Sequence, residues 1–238
     1  MKKKQFFKNV MSLMAGVLLV FASCTTEEAN TKEVANVSGV RTEGYVTSEN
    51  GNVSSKQGTS GSFFWTLYQE GGKADITQGA NGNFAITYSG CNDVVGGKGW
   101  NPGSAKNIGY NIGSLSGSYD FVGVYGWTTS PLIEYYICEK GNNINGSAVN
   151  TVSSDGHTYN FVRNQRVNAP SIIGTATFWQ YIDRWGGSST GSNKTITMAN
   201  HINNWKNKGG KGFGSFNYQV LAIEAFGGKT GSINATVW

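Results

Sequence analysis

Two glutamates stand in the middle of apolar segments, where a charged side chain is unusual. Of the four glutamates found from residue 59 onward, Glu134 and Glu224 lie centrally in such segments. Two carboxyl groups can hydrolyse a glycosidic bond, because one attacks or stabilises the anomeric carbon while the other protonates the leaving oxygen. The two groups must then lie on opposite sides of that bond. Facing strands of a sheet would meet this requirement.

The alternation of side chains along a strand gives both glutamates aromatic neighbours. Glu134 shares its face with Leu132 and Tyr136. The corresponding face around Glu224 holds Tyr218, Val220, Ala222 and Phe226. The alternative is that each glutamate projects into solvent from a one-sided sheet. The aromatic neighbours weaken that alternative and favour a cleft.

Short aromatic and β-branched segments predict a sheet-dominated domain. They lie at 83–88, 119–127, 132–137 and 158–162. Turn signals such as asparagine–glycine and aspartate–glycine pairs separate them, so we expect antiparallel hairpins. This pattern is typical of a sandwich or jelly roll, a scaffold that can carry a carbohydrate site on a concave sheet face.

One segment has the periodicity of a helix. Met198, Ile202 and Trp205 recur at spacings of four and three between residues 197 and 208, and a glycine pair follows. This predicts a single amphipathic helix. His201 lies within it and is interpreted as structural. With two histidines in the chain and no cysteine–histidine cluster, we expect no catalytic metal and no cofactor.

The first residues have the pattern of a bacterial export signal. Residues 1–23 combine four lysines with an apolar run of about 12 residues, too short to cross a bilayer that needs about 20. Cys24 follows two small residues, an arrangement that resembles the lipobox of bacterial lipoproteins. We therefore expect lipidation of Cys24 and a membrane anchor at the cell surface or outer membrane. Plain secretion is the alternative.

Composition divides the rest of the chain at residue 58. Residues 24–58 hold almost no large apolar side chains and are expected to form a flexible tether. Residues 59–238 hold nearly all the aromatic residues and have the length of one domain. We expect this domain to be a monomer.

Charge and cysteine content limit the possible partners and cross-links. The chain carries +5, but four of these charges are leader lysines, which leaves +1 and no electrostatic reason to bind nucleic acid. Cys91 and Cys138 fall within predicted strands, where a disulfide and two buried free thiols are both possible. Lys98 and Lys106 are expected to be solvated.

The segment from Tyr125 to Ile137, Tyr-Gly-Trp-Thr-Thr-Ser-Pro-Leu-Ile-Glu-Tyr-Tyr-Ile, closely resembles the nucleophile strand of glycoside hydrolase family eleven, the small xylanases. Other segments are similar to the family in the same order, at 97–103, 154–156, 168–172, 174–178 and 216–220. The resemblance covers about residues 63–238. It implies an all-β fold, a β-jelly roll of two curved antiparallel sheets with one α-helix packed on the outer face.

The resemblance also implies roles in a retaining cleavage of internal β-1,4 bonds in xylan. Glu134 would be the nucleophile and Glu224 the acid/base, at a carboxyl separation of about 5–5.5 Å. Asp93 matches a position that contacts the acid/base residue, and an aspartate there goes with an acidic pH optimum. Positions that match substrate contacts are Tyr68, Tyr125, Tyr136, Arg166, Pro170, Phe178 and Gln180. Some of these lie on or near a thumb hairpin that overhangs the substrate.

The chain departs from the family pattern near the cleft at Val167, Ala225 and Phe226. Three other functions are considered: a non-catalytic xylan-binding surface lipoprotein on the same fold, a β-1,4-glucanase, and an adhesion protein. The presence of both glutamates favours an enzyme. The thumb motif at residues 168–172, Asn-Ala-Pro-Ser-Ile, favours xylan as the substrate.

Overall fold

The computed structural model describes residues 40–47 and 53–238, which contain thirteen strands and one helix. The strands are β1 Val40–Thr47, β2 Val53–Ser60, β3 Phe63–Glu70, β4 Lys73–Gln78, β5 Asn83–Trp100, β6 Asn107–Gly117, β7 Phe121–Thr129, β8 Ile133–Lys140, β9 Ser147–Ser154, β10 His157–Ala169, β11 Ala176–Arg184, β12 Lys194–Thr197 and β13 Ser215–Val237. The helix α1 spans Met198–Lys208. The described part of the chain is therefore mostly sheet, as predicted.

Most of the strands form one hydrogen-bonded path. Its order is β1-β2-β3-β5-β13-β7-β8-β11-β10-β9, while β4 pairs with β5 and β6 pairs with β13 and β12. Every pairing is antiparallel except that of β8 with β11, which is parallel. The prediction of antiparallel sheets thus holds for all pairs but one. The chain between β8 and β11 passes through the β9–β10 hairpin, so β11 returns in the direction of β8.

Two long strands, β5 and β13, take part in both layers of the sandwich. Residues 83–88 of β5 pair with residues 231–236 of β13, while residues 93–100 pair with residues 219–226. The register shifts between these two stretches. The glycines at 227 and 228 have φ values of 78° and 80° there, a conformation that residues with a Cβ rarely adopt. We call the layer that contains the second stretch the inner layer and the other the outer layer.

Apolar side chains fill the space between the layers. Phe84 and Ile233 of the outer layer and Ile137 and Leu221 of the inner layer belong to one buried cluster. Because side chains alternate along a strand, the intervening residues of the inner layer point to its opposite face, which we call the cleft face. A second buried cluster, rich in aromatic rings, covers the cleft face.

The helix packs on the core side of the inner layer, away from the cleft face. Met198, Ile202 and Trp205 are buried in the first cluster, which confirms the predicted apolar side of the helix. His201 is fully buried, and its Nδ1 shares a 2.6 Å hydrogen bond with Oδ2 of Asp183. This position agrees with a structural role for the histidine.

Strand β2 begins inside the segment that was expected to be a tether. Residues Val53–Ser60 pair along their whole length with β3, and β1 pairs with β2 in turn. The folded part of the chain therefore extends into residues 24–58. A largely polar strand can be held at a sheet edge by backbone hydrogen bonds, which a search for apolar residues does not detect. The predicted leader, the predicted lipidation site Cys24 and the first part of the tether lie outside the described residues.

Lys98 is buried, which contradicts the expectation that it is solvated. Its Nζ donates hydrogen bonds to the carbonyl oxygens of Gly79 and Asn83 at 3.3 and 3.0 Å, and to Oγ of Ser60 at 3.3 Å. Alternation along β5 directs this side chain between the layers, where the three oxygen acceptors satisfy the ammonium group. Lys106 is exposed, as expected.

Cys91 and Cys138 are both buried free thiols. Cys91 belongs to the cluster between the layers and Cys138 to the cluster on the cleft face. Of the two possibilities left by the sequence, the structure has the unpaired one.

Among the described residues, no helix is long and apolar enough to cross a membrane.

Candidate active site

A row of aromatic rings lies on the cleft face, and both glutamates lie among them. The rings belong to Phe64, Tyr125, Trp127, Tyr136, Phe178 and Tyr218. Neighbouring ring centroids in this row are 4.8–6.5 Å apart. Only 7% of Glu134 and 8% of Glu224 is exposed, so the alternative of two solvent-directed glutamates is wrong. The face combines apolar walls with a few polar groups, as ligand sites do.

The carboxyl group of Glu134 is held on both of its oxygens. Strand β8 places Glu134 directly between Trp127 of β7 and Gln180 of β11. The hydroxyl of Tyr125 donates to Oε1 at 2.6 Å, and Nε2 of Gln180 donates to Oε2 at 2.7 Å. Donors on both oxygens favour the ionised form and fix its orientation.

Each of these two donors is itself held by a further hydrogen bond. The indole Nε1 of Trp127 donates to the Tyr125 hydroxyl at 2.9 Å, so the Tyr125 proton is left to point at Glu134. Nδ2 of Asn164 donates to Oε1 of Gln180 at 2.8 Å, which turns the amide nitrogen of Gln180 toward the carboxylate. The orientation of Glu134 is therefore set by two short chains of side chains.

Opposing effects act on the pKa of Glu134. Burial raises it, because a charged carboxylate loses the solvation of water. Hydrogen bonds from Tyr125, Gln180 and Tyr136 lower it, and so does the positive charge of Arg166. The net result is a raised pKa, but with donors in place for the anion.

Glu224 lies in a different environment. Strand β13 places it between Val95 of β5 and Phe121 of β7. Its buried Oε2 has no hydrogen-bond partner among the described residues. Burial raises its pKa well above the ordinary value, and the negative charges of Asp93 and Glu134 raise it further. Glu224 is thus the carboxyl group of this pair that is suited to keep its proton.

Asp93 lies close enough to influence Glu224. It is opposite Glu70 on β3 and Phe226 on β13, and its Oδ1 is buried without a hydrogen-bond partner among the described residues. Burial, followed by the charges of Glu134 and Glu70, raises the pKa of Asp93 to about 7. Asp93 and Glu224 therefore titrate as a coupled pair.

The other predicted substrate contacts fall into two groups. Tyr136 is buried beside both glutamates, since its hydroxyl lowers the pKa of each, and the ring of Phe178 lies 4.8 Å from that of Trp127. Tyr68 is half-buried, and burial raises its pKa to about 12. Together with Tyr125 and Gln180, these residues line the cleft face.

Arg166 and Pro170 lie on the β10–β11 hairpin and are exposed. Arg166 pairs with Phe178, and its positive charge lowers the pKa of Asp93 and of Glu134. Pro170 directly follows the last residue of β10, in the same hairpin. The positive charge of Arg166 therefore acts on two carboxyl groups of the cleft face.

Sequence reasoning missed Asn164. It lies on β10 directly opposite Gln180 of β11, a relation that depends on strand register and leaves no mark in the local sequence. Trp127 belongs to the conspicuous motif around Glu134, but its sequence position did not distinguish a core residue from a cleft residue. Its hydrogen bond to Tyr125 places it at the cleft.

The described residues offer no group of three or more His, Cys, Asp and Glu side chains arranged to hold a metal ion. The arrangement can perform acid–base and nucleophilic chemistry with two carboxyl groups.

Comparison with known proteins agrees with this chemistry: residues 60–236 match the model of glycosyl hydrolases family 11. The chain belongs to this family.

Relatives within the family are xylanases by name. Ethylene-inducing xylanase 1 of Botryotinia fuckeliana is 44% identical over 189 residues, which are 77% of this chain and 66% of that protein. Endo-1,4-beta-xylanase 2 of Rhizopus oryzae is 42% identical over 192 residues, 78% of this chain and 86% of that protein.

A solved structure from a comparison of two major endo-1,4-beta-xylanases of Trichoderma reesei is 41% identical. It superimposes with a TM-score of 0.65, covering 72% of this chain and 96% of the other. The family-11 jelly roll expected from the sequence is therefore confirmed.

Proposed function

We propose that this family-11 member is an endo-1,4-β-xylanase, a monomer that hydrolyses internal β-1,4-xylosidic bonds of xylan with retention of configuration. Family membership and the named relatives support the substrate and the reaction. The observation that carries the roles of the residues is the pair of hydrogen bonds on Glu134, at 2.6 and 2.7 Å. They prepare one carboxylate for attack, while no described residue donates to the buried Oε2 of Glu224.

In the first step Glu134 attacks the anomeric carbon and Glu224 donates its proton to the glycosidic oxygen. The carbon–oxygen bond to the leaving chain breaks, and the sugar becomes esterified to Glu134. The raised pKa of Glu224 keeps it protonated at pH values where an ordinary glutamate is ionised. The Tyr125 hydroxyl stays protonated because burial and the charge of Glu134 raise its pKa well above the ordinary value.

In the second step a water molecule replaces the enzyme ester. Esterification removes the negative charge of Glu134, which is one of the causes that raise the pKa of Glu224. The pKa of Glu224 therefore falls, and its carboxylate can accept a proton from the attacking water. The oxygen of that water bonds to the anomeric carbon, Glu134 leaves as a carboxylate, and Glu224 is again protonated.

The test is cleavage of unbranched xylan by the full chain and by Glu134→Gln. We expect the wild type to release short xylo-oligosaccharides, and the variant to lose about three orders of magnitude or more in kcat, because the nucleophile is gone. Asp75→Asn is the matched control, since it removes an exposed carboxylate on β4.

Two other outcomes would point to a different function. A folded wild type that binds xylan without cutting it would favour the binding-protein alternative. Equal cleavage of a β-1,4-glucan would favour the glucanase alternative. Full activity of Glu134→Gln would refute the proposed nucleophile.

We also propose that the enzyme is exported and held at the cell surface or outer membrane by lipid on Cys24. The proposal rests on the lysine-rich apolar leader at residues 1–23 and on the small residues before Cys24. Labelled fatty acid should be incorporated by cells that express the wild type. Cys24→Ser should abolish labelling, while Cys138→Ser, which changes a buried thiol, should not. Labelling of Cys24→Ser would refute the anchor.

A further inference from the structure

A buried aspartate lies where β13 leaves the inner layer. Asp120 immediately precedes β7 and is only 1% exposed. Alongside it, β13 carries Glu224 and then reaches the glycines at 227 and 228, where its register shifts. A buried carboxylate must be compensated by hydrogen bonds or by a positive charge. The partners of Asp120 therefore indicate its role in the fold.

Asp120 binds the backbone of β13 at the proposed acid/base residue and just after it. Its own N–H donates to the carbonyl oxygen of Glu224 at 2.9 Å. Its Oδ2 accepts from the backbone N–H of Phe226 at 2.9 Å. One residue therefore fixes the β13 backbone at Glu224 and two residues beyond it.

The other carboxylate oxygen of Asp120 joins this segment to the bend. Oδ1 accepts a hydrogen bond from Nζ of Lys229, which forms an ion pair just past the two glycines. The same oxygen accepts from Nδ2 of Asn143 at 3.1 Å, and the backbone N–H of Asn143 donates to the Asp120 carbonyl at 3.2 Å. Asn143 therefore holds both the side chain and the backbone of Asp120 in place.

We propose that Asp120 is a positioning residue for Glu224, which it orients by holding β13 from Glu224 to the ion pair with Lys229. This inference rests on the proposed role of Glu224 as acid/base. Glycines 227 and 228 leave the chain beyond Phe226 with wide conformational freedom, and no described residue apart from the chain neighbours lies within 4 Å of the position that a Cβ would occupy on either one. The contacts of Asp120 restrict that freedom directly beside the carboxyl group that must transfer a proton.

The charge of Asp120 also reaches Glu224. The titratable groups that influence or are influenced by Glu224 are Asp93, Tyr125, Glu134, Tyr136, Cys138, Tyr218 and Asp120. After burial, Asp93 and Glu134, the negative charge of Asp120 is a further cause that raises the pKa of Glu224. Around Asp120 itself, Lys229 provides the opposite charge, and Tyr88 is the neighbouring tyrosine.

The ion pair allows a test with opposite signs. Asp120→Asn removes a negative charge, so the apparent pKa of the Asp93–Glu224 pair should fall and the alkaline limb of the kcat/KM profile on xylan should move to lower pH. Lys229→Gln leaves the Asp120 charge uncompensated, so the same limb should move to higher pH. Lys206→Gln, which changes an exposed lysine on α1, should leave the limb in place.

A second measurement uses the leaving group. The dinitrophenolate group of a dinitrophenyl xylobioside leaves as an anion and needs no proton, whereas the sugar chain that leaves from xylan must be protonated by the acid. We expect Asp120→Asn to lower kcat/KM on xylan about tenfold or more, and on the dinitrophenyl substrate less than about twofold, since general-acid catalysis contributes about 10²–10⁴-fold in total.

Equal losses on both substrates would overturn the inference, because a merely structural role predicts them. Shifts of the same sign in both variants would also overturn it, because removing opposite charges must move the pKa in opposite directions. If Asp120→Asn does not fold, the absence of an alkaline shift in Lys229→Gln overturns it alone. A wild type inactive on both substrates would refute the proposed function together with this inference, whereas an active wild type with unshifted variants would refute the inference only.

Discussion

Glu134 and Glu224 are both buried, yet their surroundings favour opposite protonation states. Hydrogen bonds from Tyr125 and Gln180 occupy the two oxygens of Glu134. The neighbours that matter most to Glu224 are negative, namely Asp93 and Glu134. Identical side chains are thus given different chemistry by what surrounds them. Since a carboxylate and a carboxylic acid are both needed, this difference is the basis of the proposed reaction.

The role of Asp93 predicts the effect of removing it. Two interacting carboxyl groups release their protons in two steps, the first at lower pH than either group alone would show. If activity requires both protons, its alkaline limb follows that first step. Asp93→Asn leaves one proton to lose, so the alkaline limb should move to higher pH. The measurement is kcat/KM on xylan from about pH 4 to about pH 8.

The control for this prediction is Asp75→Asn, which removes an aspartate that does not interact with Glu224. Its profile should overlay that of the wild type. A limb that stays in place or moves to lower pH in Asp93→Asn would show that the Asp93 proton is not required.

The sequence predicts these two glutamates well and their supporting residues poorly. Glu134 and Glu224 stand out because a charge in an apolar strand is conspicuous in the sequence itself. Asn164 and Asp120 act through partners that are adjacent only after strand pairing, so local patterns do not reveal them. Lys98 was misjudged for the same reason, because its acceptors come from other segments.

Among the elements, the helix α1 anchors the back of the inner layer. Trp205 is fully buried, with its ring 5.5 Å from that of Tyr135 on β8. Tyr135 is the residue next to Glu134, and it points into the core while Glu134 points into the cleft. The helix therefore supports the strand that carries the proposed nucleophile from behind.

Truncation of this anchor should reduce stability more than chemistry. Trp205→Ala should lower the free energy of unfolding by about 3–5 kcal/mol, because it leaves a large cavity. The measurement is denaturant unfolding, with Lys206→Ala as the exposed neighbour in control. A loss of less than about 1 kcal/mol would contradict the anchoring role.

Strong local periodicity explains which elements the sequence predicts. The helix is predicted at 197–208 and found at Met198–Lys208, and the segment 132–137 lies largely within β8. The lengths of β5 and β13 are not apparent, because glycines interrupt both strands where they bend. Strand β2 is missed because its side chains are mostly polar and its partner β3 holds it by the backbone.

Across the whole molecule, buried acids couple stability to pH. Burial raises the pKa of Asp93, Glu134, Glu139, Asp183 and Glu224. A carboxyl group with a higher pKa in the folded chain binds more protons there than in the unfolded chain between the two pKa values. The free energy of unfolding must then decrease as pH rises through that window. For Asp93 the window runs from 3.8 to about 7.

We therefore expect the melting temperature to fall between about pH 4 and about pH 7. The check is thermal unfolding at a series of pH values, with Asp93→Asn and Asp75→Asn in parallel. Asp93→Asn should show a flatter dependence than the wild type, while Asp75→Asn should parallel it. A melting temperature that rises across this range would contradict the raised pKa values.

The bend shared by β5 and β13 has a consequence for biosynthesis. Strand β13 pairs with β5 in both layers, although residues 101–214 separate the two strands in sequence, so we expect these long-range contacts to form late in folding. A nascent chain that has not yet reached residue 215 lacks the strand that β5, β6 and β7 all pair with. We therefore expect such a chain to remain unfolded while it is being synthesised. If the chain is exported as proposed, the unfolded polypeptide is the form that a translocation channel threads, and the domain folds on the far side of the membrane.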